Sequence, residues 1–189
     1  MSSKNEDRFP ELGDAETGKV GPTGRPLRRF PDPPELDSHG PARIISMVNQ
    51  KGGVGKTALA VNFAAYCGSI GKKTLLIDLD PQTNATFSCI KPEKWEKHSN
   101  KNGSVAEILG VRNHVKADTG PVDVRKTIIK NVFRGVDLIP SHLDLFTIDL
   151  EIGARVARES LLKRALEDVK DSYEVIVCDC PPNLTLPTQ

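Results

Sequence analysis

Apolar and polar positions along this chain follow two alternating periods. Arg43 to Asn49 is a nearly continuous apolar run centred on Ile44 to Val48, which predicts a strand covered on both faces. Thr57 to Ser69 repeats its apolar residues at helical spacing, and Gly71 follows as a stop signal. Further strands are predicted from Lys73 to Leu79, from Val136 to Ile139, where Pro140 ends the run, and from Glu174 to Asp179. Residues 104–109 read as a short helix opened by Ser104, and residues 143–151 and 159–169 carry helical periodicity. Repeated strand–helix alternation predicts an α/β domain: a mostly parallel sheet with helices on both faces.

Two stretches fall outside that pattern. Residues 1–42 hold seven of the 14 prolines and few large apolar groups. They are expected to be disordered, because such a segment buries too little surface to offset its ordering entropy. The domain is therefore expected over residues 43–189. Arg25, Arg28 and Arg29 make a small basic cluster in the tail, read as solvated in preference to a DNA-contacting arm. Residues 91–103 are rich in Lys, Glu and Asn, and read as a mobile excursion with Trp95 packed inward. No internal repeat is visible.

The stretch with the most specific chemistry lies between the first strand and the first helix. Residues 51–57 read Lys-Gly-Gly-Val-Gly-Lys-Thr. A strand, a glycine loop and a helix in that order form a phosphate cradle. Glycines let backbone N–H groups turn toward an anion, and the helix N-terminus adds its positive dipole end. Gly52, Gly53, Val54 and Gly55 would form the loop, Lys56 would reach the β- and γ-phosphates, and the Thr57 hydroxyl would hold Mg²⁺. The usual loop has a further glycine five residues before the Gly-Lys pair. Here Gln50 stands there, with a second lysine, Lys51, beside it.

Composition narrows the picture little. The net charge is +1, which is no nucleic-acid signature for the whole chain. Residues 1–42 carry six Lys/Arg against eight Asp/Glu, so the remainder is only mildly basic. The four cysteines, Cys67, Cys89, Cys178 and Cys180, need no disulfide, and no signal peptide is evident. A reducing cytosol is the expected compartment. No run reaches the roughly 20 apolar residues of a membrane span. Cys178 and Cys180 lack cluster spacing, and His39, His98, His114 and His142 lie far apart and near no Cys motif.

Residues 51–57 resemble the deviant Walker A box of the ParA/MinD group of P-loop ATPases. Leu75-Leu-Ile-Asp-Leu-Asp-Pro-Gln82 resembles the Walker A′ segment, and Val175-Ile-Val-Cys-Asp-Cys-Pro-Pro-Asn183 the Walker B strand and its loop. Asp80-Pro81-Gln82 and Val136-Asp-Leu-Ile-Pro-Ser141 favour the ParA type. The resemblance implies an ATP- and Mg²⁺-dependent ATPase that acts as a dimerisation switch in chromosome or plasmid partition. A ParB-type partner would reset it, and non-specific DNA would be held through a C-terminal surface. Other deviant-Walker ATPases, MinD-like or reductase-type, are the alternative, as is a catalytically silent fragment serving as an interaction module.

Asp78, Asp80 and Asp179 stand at predicted C-terminal strand ends, where open α/β sheets bind ligands. By resemblance, Asp80 positions the attacking water, Asp179 is the Walker B aspartate at Mg²⁺, and Asp78 supports the metal from behind. Lys56 would act on the transferred phosphate, while Lys51 would reach the partner subunit's nucleotide across a dimer interface. Ala58 departs from the Thr or Ser common in relatives, which would remove one α-phosphate hydrogen bond at a cost of about 1–2 kcal/mol. Relatives continue well past Pro181-Pro182, so the C-terminal part is expected to be missing and one sheet edge left open and apolar.

Overall fold

The computed structural model describes residues 16–20, 26–28, 42–111, 123–147 and 161–182. Five strands make the main sheet: β3 (Arg43–Met47), β4 (Thr74–Asp78), β5 (Ile129–Phe133), β6 (Val136–Ile139) and β7 (Val175–Asp179), in the order β3-β7-β4-β6-β5. All neighbours are parallel except the β5–β6 hairpin. The predicted α/β class with a mostly parallel sheet is therefore present. Its parallel strands run in register, with Asp78 of β4 directly beside Asp179 of β7.

Side-chain alternation divides the core between the two faces of the sheet. Leu75, Ile77, Ile139, Ile176 and Cys178 face one side, where α4 (Val105–Ile108) and α6 (Leu161–Glu167) contribute Val105, Ala106 and Leu166. Leu76, Leu138 and Val177 face the other, against Ala60 and Ala64 of α1 (Lys56–Ser69). That helix buries only small residues, so it lies close to the sheet. At Gly68 the approach is tightest: a Cβ there would sit 2.3 Å from the Arg134 carbonyl oxygen and 2.6 Å from a Val136 methyl.

Three expectations change. In the sheet β7 is interior, and β3 and β5 are the edges. The β3 run reads as covered on both faces, but none of its residues is buried, and Ile44 is 55% exposed. Residues 91–103 are not an excursion: α3 spans Pro92–Asn102, with Pro92 and Glu93 in its first turn, Lys101 in its last and Gly103 as terminator. These are ordinary start and stop signals, outweighed in the reading by the polar composition. The helices α2 (Asn84–Cys89) and α5 (Val124–Thr127) and strand β5 have no counterpart in the predicted elements. In β5, Asn131 sits at φ 52 and breaks the period-2 alternation that marks a strand.

Residues 143–151 are described only to Thr147, as a 3-10 turn over Leu143–Thr147. Of residues 159–169, the helix covers Leu161–Glu167. Within residues 1–42 two strands, β1 (Glu16–Val20) and β2 (Pro26–Arg28), pair antiparallel. A composition argument averages over 42 residues and does not resolve so short a pairing. The rest of that stretch below Ala42, and Asn183 with the chain's last residues, lie outside the described residues.

Candidate functional site

Three loops converge at the C-terminal ends of β3, β4 and β7. They enclose a cavity of about 380 Å³ lined by Gly52, Gly53, Val54, Gly55, Lys56, Thr57, Asp80, Asn84 and Pro182. The first loop is built to leave its polar groups unspent. Gly53 and Gly55 hold φ 71 and 85, a region open to glycine at little cost. No atom lies within 4 Å of where a Cβ would stand on Gly52, Gly53 or Gly55, so the backbone faces open space. The first turn of α1 carries no acidic residue and no side-chain cap. Its orphan N–H groups and positive dipole end are thus available to an anion. Lys56 Nζ donates to the Lys51 carbonyl at 3.3 Å, which folds the side chain back over the loop.

Asp179, at the end of β7, lies behind that lining, next to Thr57, Asp80 and Lys56. The residue is fully buried, yet neither carboxylate oxygen receives a hydrogen bond at full geometry. Burial pushes its pKa up to about 6; the neighbouring Thr57 hydroxyl opposes that shift, Asp80 adds to it and Lys56 lowers it. A buried carboxylate without donors, beside a hydroxyl, fits a hard cation with oxygen ligands. Among the described residues no three His, Cys, Asp or Glu side chains converge as a self-sufficient metal cage. Thr57 and Asp179 suit an ion whose remaining ligands come from phosphate and water.

Asp78, expected behind the metal, is fully buried, and its carboxylate binds the segment that follows β4. Oδ1 accepts from the Asp80 N–H at 3.1 Å, while Oδ2 accepts from the Thr86 N–H at 2.8 Å and the Thr86 hydroxyl at 2.7 Å. Burial pushes this carboxyl up to about 7, against the pull of the Thr86 bonds. Asp78 therefore fixes the loop that follows β4. Asp80 is 8% exposed and lines the cavity, with Oδ1 accepting from the Gln82 N–H at 2.9 Å.

Of the other candidate residues, Lys51 is exposed and outside the cavity lining; its N–H donates to Asn49 Oδ1 at 2.9 Å. Ala58 is also exposed and outside the lining. Cys178 and Cys180 pack in the core opposite α1, and burial pushes their thiols up to about 12 and 11. Such thiols are poor nucleophiles. Asn84, Thr86 and Ser141 have no counterpart among the predicted site residues, although Ser141 closes the Val136-Asp-Leu-Ile-Pro-Ser141 segment.

A parallel sheet, a glycine cradle opening a helix and a strand-end aspartate beside it define a P-loop nucleotide-binding protein. The chain belongs to the AAA domain family AAA_31, whose model matches residues 42–189, and it is a ParA-type member. It is 42% identical over 147 residues to the sporulation initiation inhibitor protein Soj of Bacillus subtilis, covering 77% of this chain and 52% of Soj. It is 39% identical over 174 residues to an uncharacterized protein of Mycobacterium tuberculosis, covering 92% of this chain and 51% of that protein. A match of 174 residues in a chain of 189 begins no later than residue 16, so it takes in the β1–β2 ribbon.

Among solved structures, cobyrinic acid a,c-diamide synthase of Mycobacterium smegmatis, with an ATP analog and magnesium bound, superposes at a TM-score of 0.64. It is 33% identical, over 77% of this chain and 53% of that one. A plasmid partition protein of Borrelia burgdorferi superposes at 0.62 with 33% identity, over 77% and 58%. The chain spans about half the length of the curated relatives it matches.

Proposed function

We propose that this chain is the nucleotide-binding part of an ATP-driven partition switch. The observation that carries the reading is the bare carboxylate of Asp179 at the end of an unspent glycine cradle, next to Thr57 and Lys56. Gly52 to Thr57 would wrap the phosphates of ATP, and Mg²⁺ would be held by Thr57 and, directly or through water, by Asp179. An ion held there would supply positive charge against that building on the transferred phosphoryl group. Asp80, at the cavity wall, would orient the attacking water.

Lys51 stands at the rim with an exposed side chain, which suits a cation delivered to a second subunit's nucleotide. A charge supplied only when two loaded subunits meet couples dimerisation to the state of the phosphates. A ParB-type protein would stimulate hydrolysis, and non-specific DNA would be held by the longer protein, in the cytoplasm at the nucleoid. Among the described residues no helix is long and apolar enough to cross a membrane.

A second reading, another deviant-Walker ATP-dependent enzyme, draws support from the equal 33% identity to the cobyrinic acid synthase and the plasmid partition protein. It predicts ATP hydrolysis that a ParB-type protein does not stimulate. Sedimentation with a non-hydrolysable ATP analogue and Mg²⁺ tests the switch itself. The partition reading expects a dimer in the parent and a nucleotide-bound monomer in Lys51→Gln. A parent that binds the analogue and stays monomeric contradicts it.

A further inference from the structure

Asp80 is held by its backbone as well as placed by its side chain, and the atoms that hold it form a closed ring. The Asp80 N–H donates to Asp78 Oδ1 at 3.1 Å. The other oxygen of that carboxylate takes the Thr86 hydroxyl at 2.7 Å. Thr86 Oγ1 in turn accepts from the Ser141 N–H at 3.0 Å, and the Ser141 hydroxyl donates to the Asp80 carbonyl at 2.7 Å. Both polar groups of one peptide residue are thus gripped by a circuit through three segments: the end of β4, the helix α2 and the loop after β6. Asp78, Thr86 and Ser141 are each fully buried, so water does not compete for these bonds.

The Asp80 carbonyl also accepts from the Thr83 N–H at 2.9 Å, and the circuit leads outward through Ser141. The Ser141 carbonyl accepts from the Trp95 indole N–H at 2.9 Å. Trp95, the only tryptophan of the chain, stacks on His142 at 5.3 Å and meets Phe87 edge-on at 5.5 Å. Phe87 is 43% exposed, so the aromatic group reaches the surface. Ser141 therefore touches the Asp80 loop through its hydroxyl and the aromatic group through its carbonyl. Neither Ser141 nor Thr86 lines the nucleotide cavity.

We propose that Ser141 and Thr86 are positioning residues that hold the Asp80 peptide for hydrolysis and transmit the state of that loop to Trp95. The proposal rests on the nucleotide reading above. It assigns these two residues to the turnover step and not to nucleotide affinity, because the cradle is built from a separate segment. It also makes the exposed Phe87–Trp95 surface responsive to what occupies the cavity.

The test uses the full chain and three variants: Ser141→Ala and Thr86→Val, which remove a hydroxyl, and Thr86→Ser, which keeps it. Affinity for a fluorescent ATP analogue with Mg²⁺, single-turnover phosphate release and Trp95 emission with and without AMPPNP are measured on each. Expected are analogue affinities within about twofold of the parent in all three, which also shows that they fold. Phosphate release falls about tenfold or more in Ser141→Ala and Thr86→Val, in keeping with loss of one buried bond in the first and two in the second. The nucleotide-induced change in Trp95 emission disappears in both and is retained in Thr86→Ser. Equal release rates in parent and Ser141→Ala (zero included), an unaltered Trp95 response, or failure of Thr86→Ser to restore the parent's behaviour overturns the proposal. A parent that binds no analogue overturns the nucleotide reading itself, a result distinct from the others.

Discussion

The two loops that meet at the cavity are built in opposite ways. The 51–57 loop is exposed along Lys51 to Gly55, open around its glycines and faced by a buried carboxylate without donors. Beside it Asp78 and Asp80 are buried, and the Asp80 peptide groups and the Asp78 carboxylate have partners. Unsatisfied buried polar groups cost roughly 1–3 kcal/mol each. Asp179 therefore carries a cost that the fold bears until a cation arrives, whereas the Asp80 loop bears none. The contrast separates two tasks: a binding surface keeps its bonding capacity in reserve, and a positioning device spends it on rigidity.

Lys56→Ala should break the first loop's function most completely. A fluorescent ATP analogue with Mg²⁺ should bind at least about 100-fold more weakly, close to 3 kcal/mol, while the melting temperature stays near the parent's. A fall in both together would mean that Lys56 holds the fold, and the contrast between the loops would fail.

The glycines offer a second comparison. A Cβ on Gly68 would lie 2.3 Å from the Arg134 carbonyl oxygen, while one on Gly52 would meet nothing within 4 Å. Gly68→Ala should destabilise by about 1–3 kcal/mol through overpacking, read by denaturant unfolding, with the cradle's residues unaltered. Gly52→Ala should leave the unfolding midpoint unchanged and weaken analogue binding, because the added methyl group enters the phosphate space. The opposite assignment of effects would remove the distinction.

Asp179→Asn tests the cost of the reserved carboxylate. Its folded pKa of about 6 lies above the ordinary 3.8, so the folded state favours the protonated form. The penalty is absent below about pH 4, accumulates as pH rises toward about 6, and is fully present above that. The amide removes it, so the apo variant should be more stable than the parent by about 1–3 kcal/mol at pH 8, and equal to it near pH 4. Mg²⁺ should no longer strengthen nucleotide binding to the variant. Equal stabilities at both pH values would show that Asp179 is not strained.

The smallest effect concerns the sheet edge. Ile44→Lys places a charge on the exposed β3 edge and should reduce self-association in sedimentation without altering nucleotide affinity. Unchanged association would place the sticky surface elsewhere.

Much of this contrast is legible in the sequence, but unequally. The cradle is a contiguous string between an apolar run and a helical period, so local pattern exposes it. Asp80 and Asp179 are visible as strand-end carboxylates in motif order. The clamp is invisible for a physical reason: Ser141 meets Asp80 across 61 residues and Thr86 across 55, contacts that only the sheet order creates. Asp78 reads like its neighbour in sequence, and its side-chain direction is decided by Thr86 on a helix that propensity does not announce. The β3 run misleads because an apolar strand looks the same in sequence whether or not its faces are covered.

Titration of the fluorescent ATP analogue into the parent chain, with Mg²⁺ and then with EDTA, tests the central claim most directly. The account predicts saturable binding that EDTA weakens markedly, with the EDTA-sensitive part lost in Asp179→Asn and all binding lost in Lys56→Ala. Binding indifferent to EDTA, or unaltered in both variants, would contradict it.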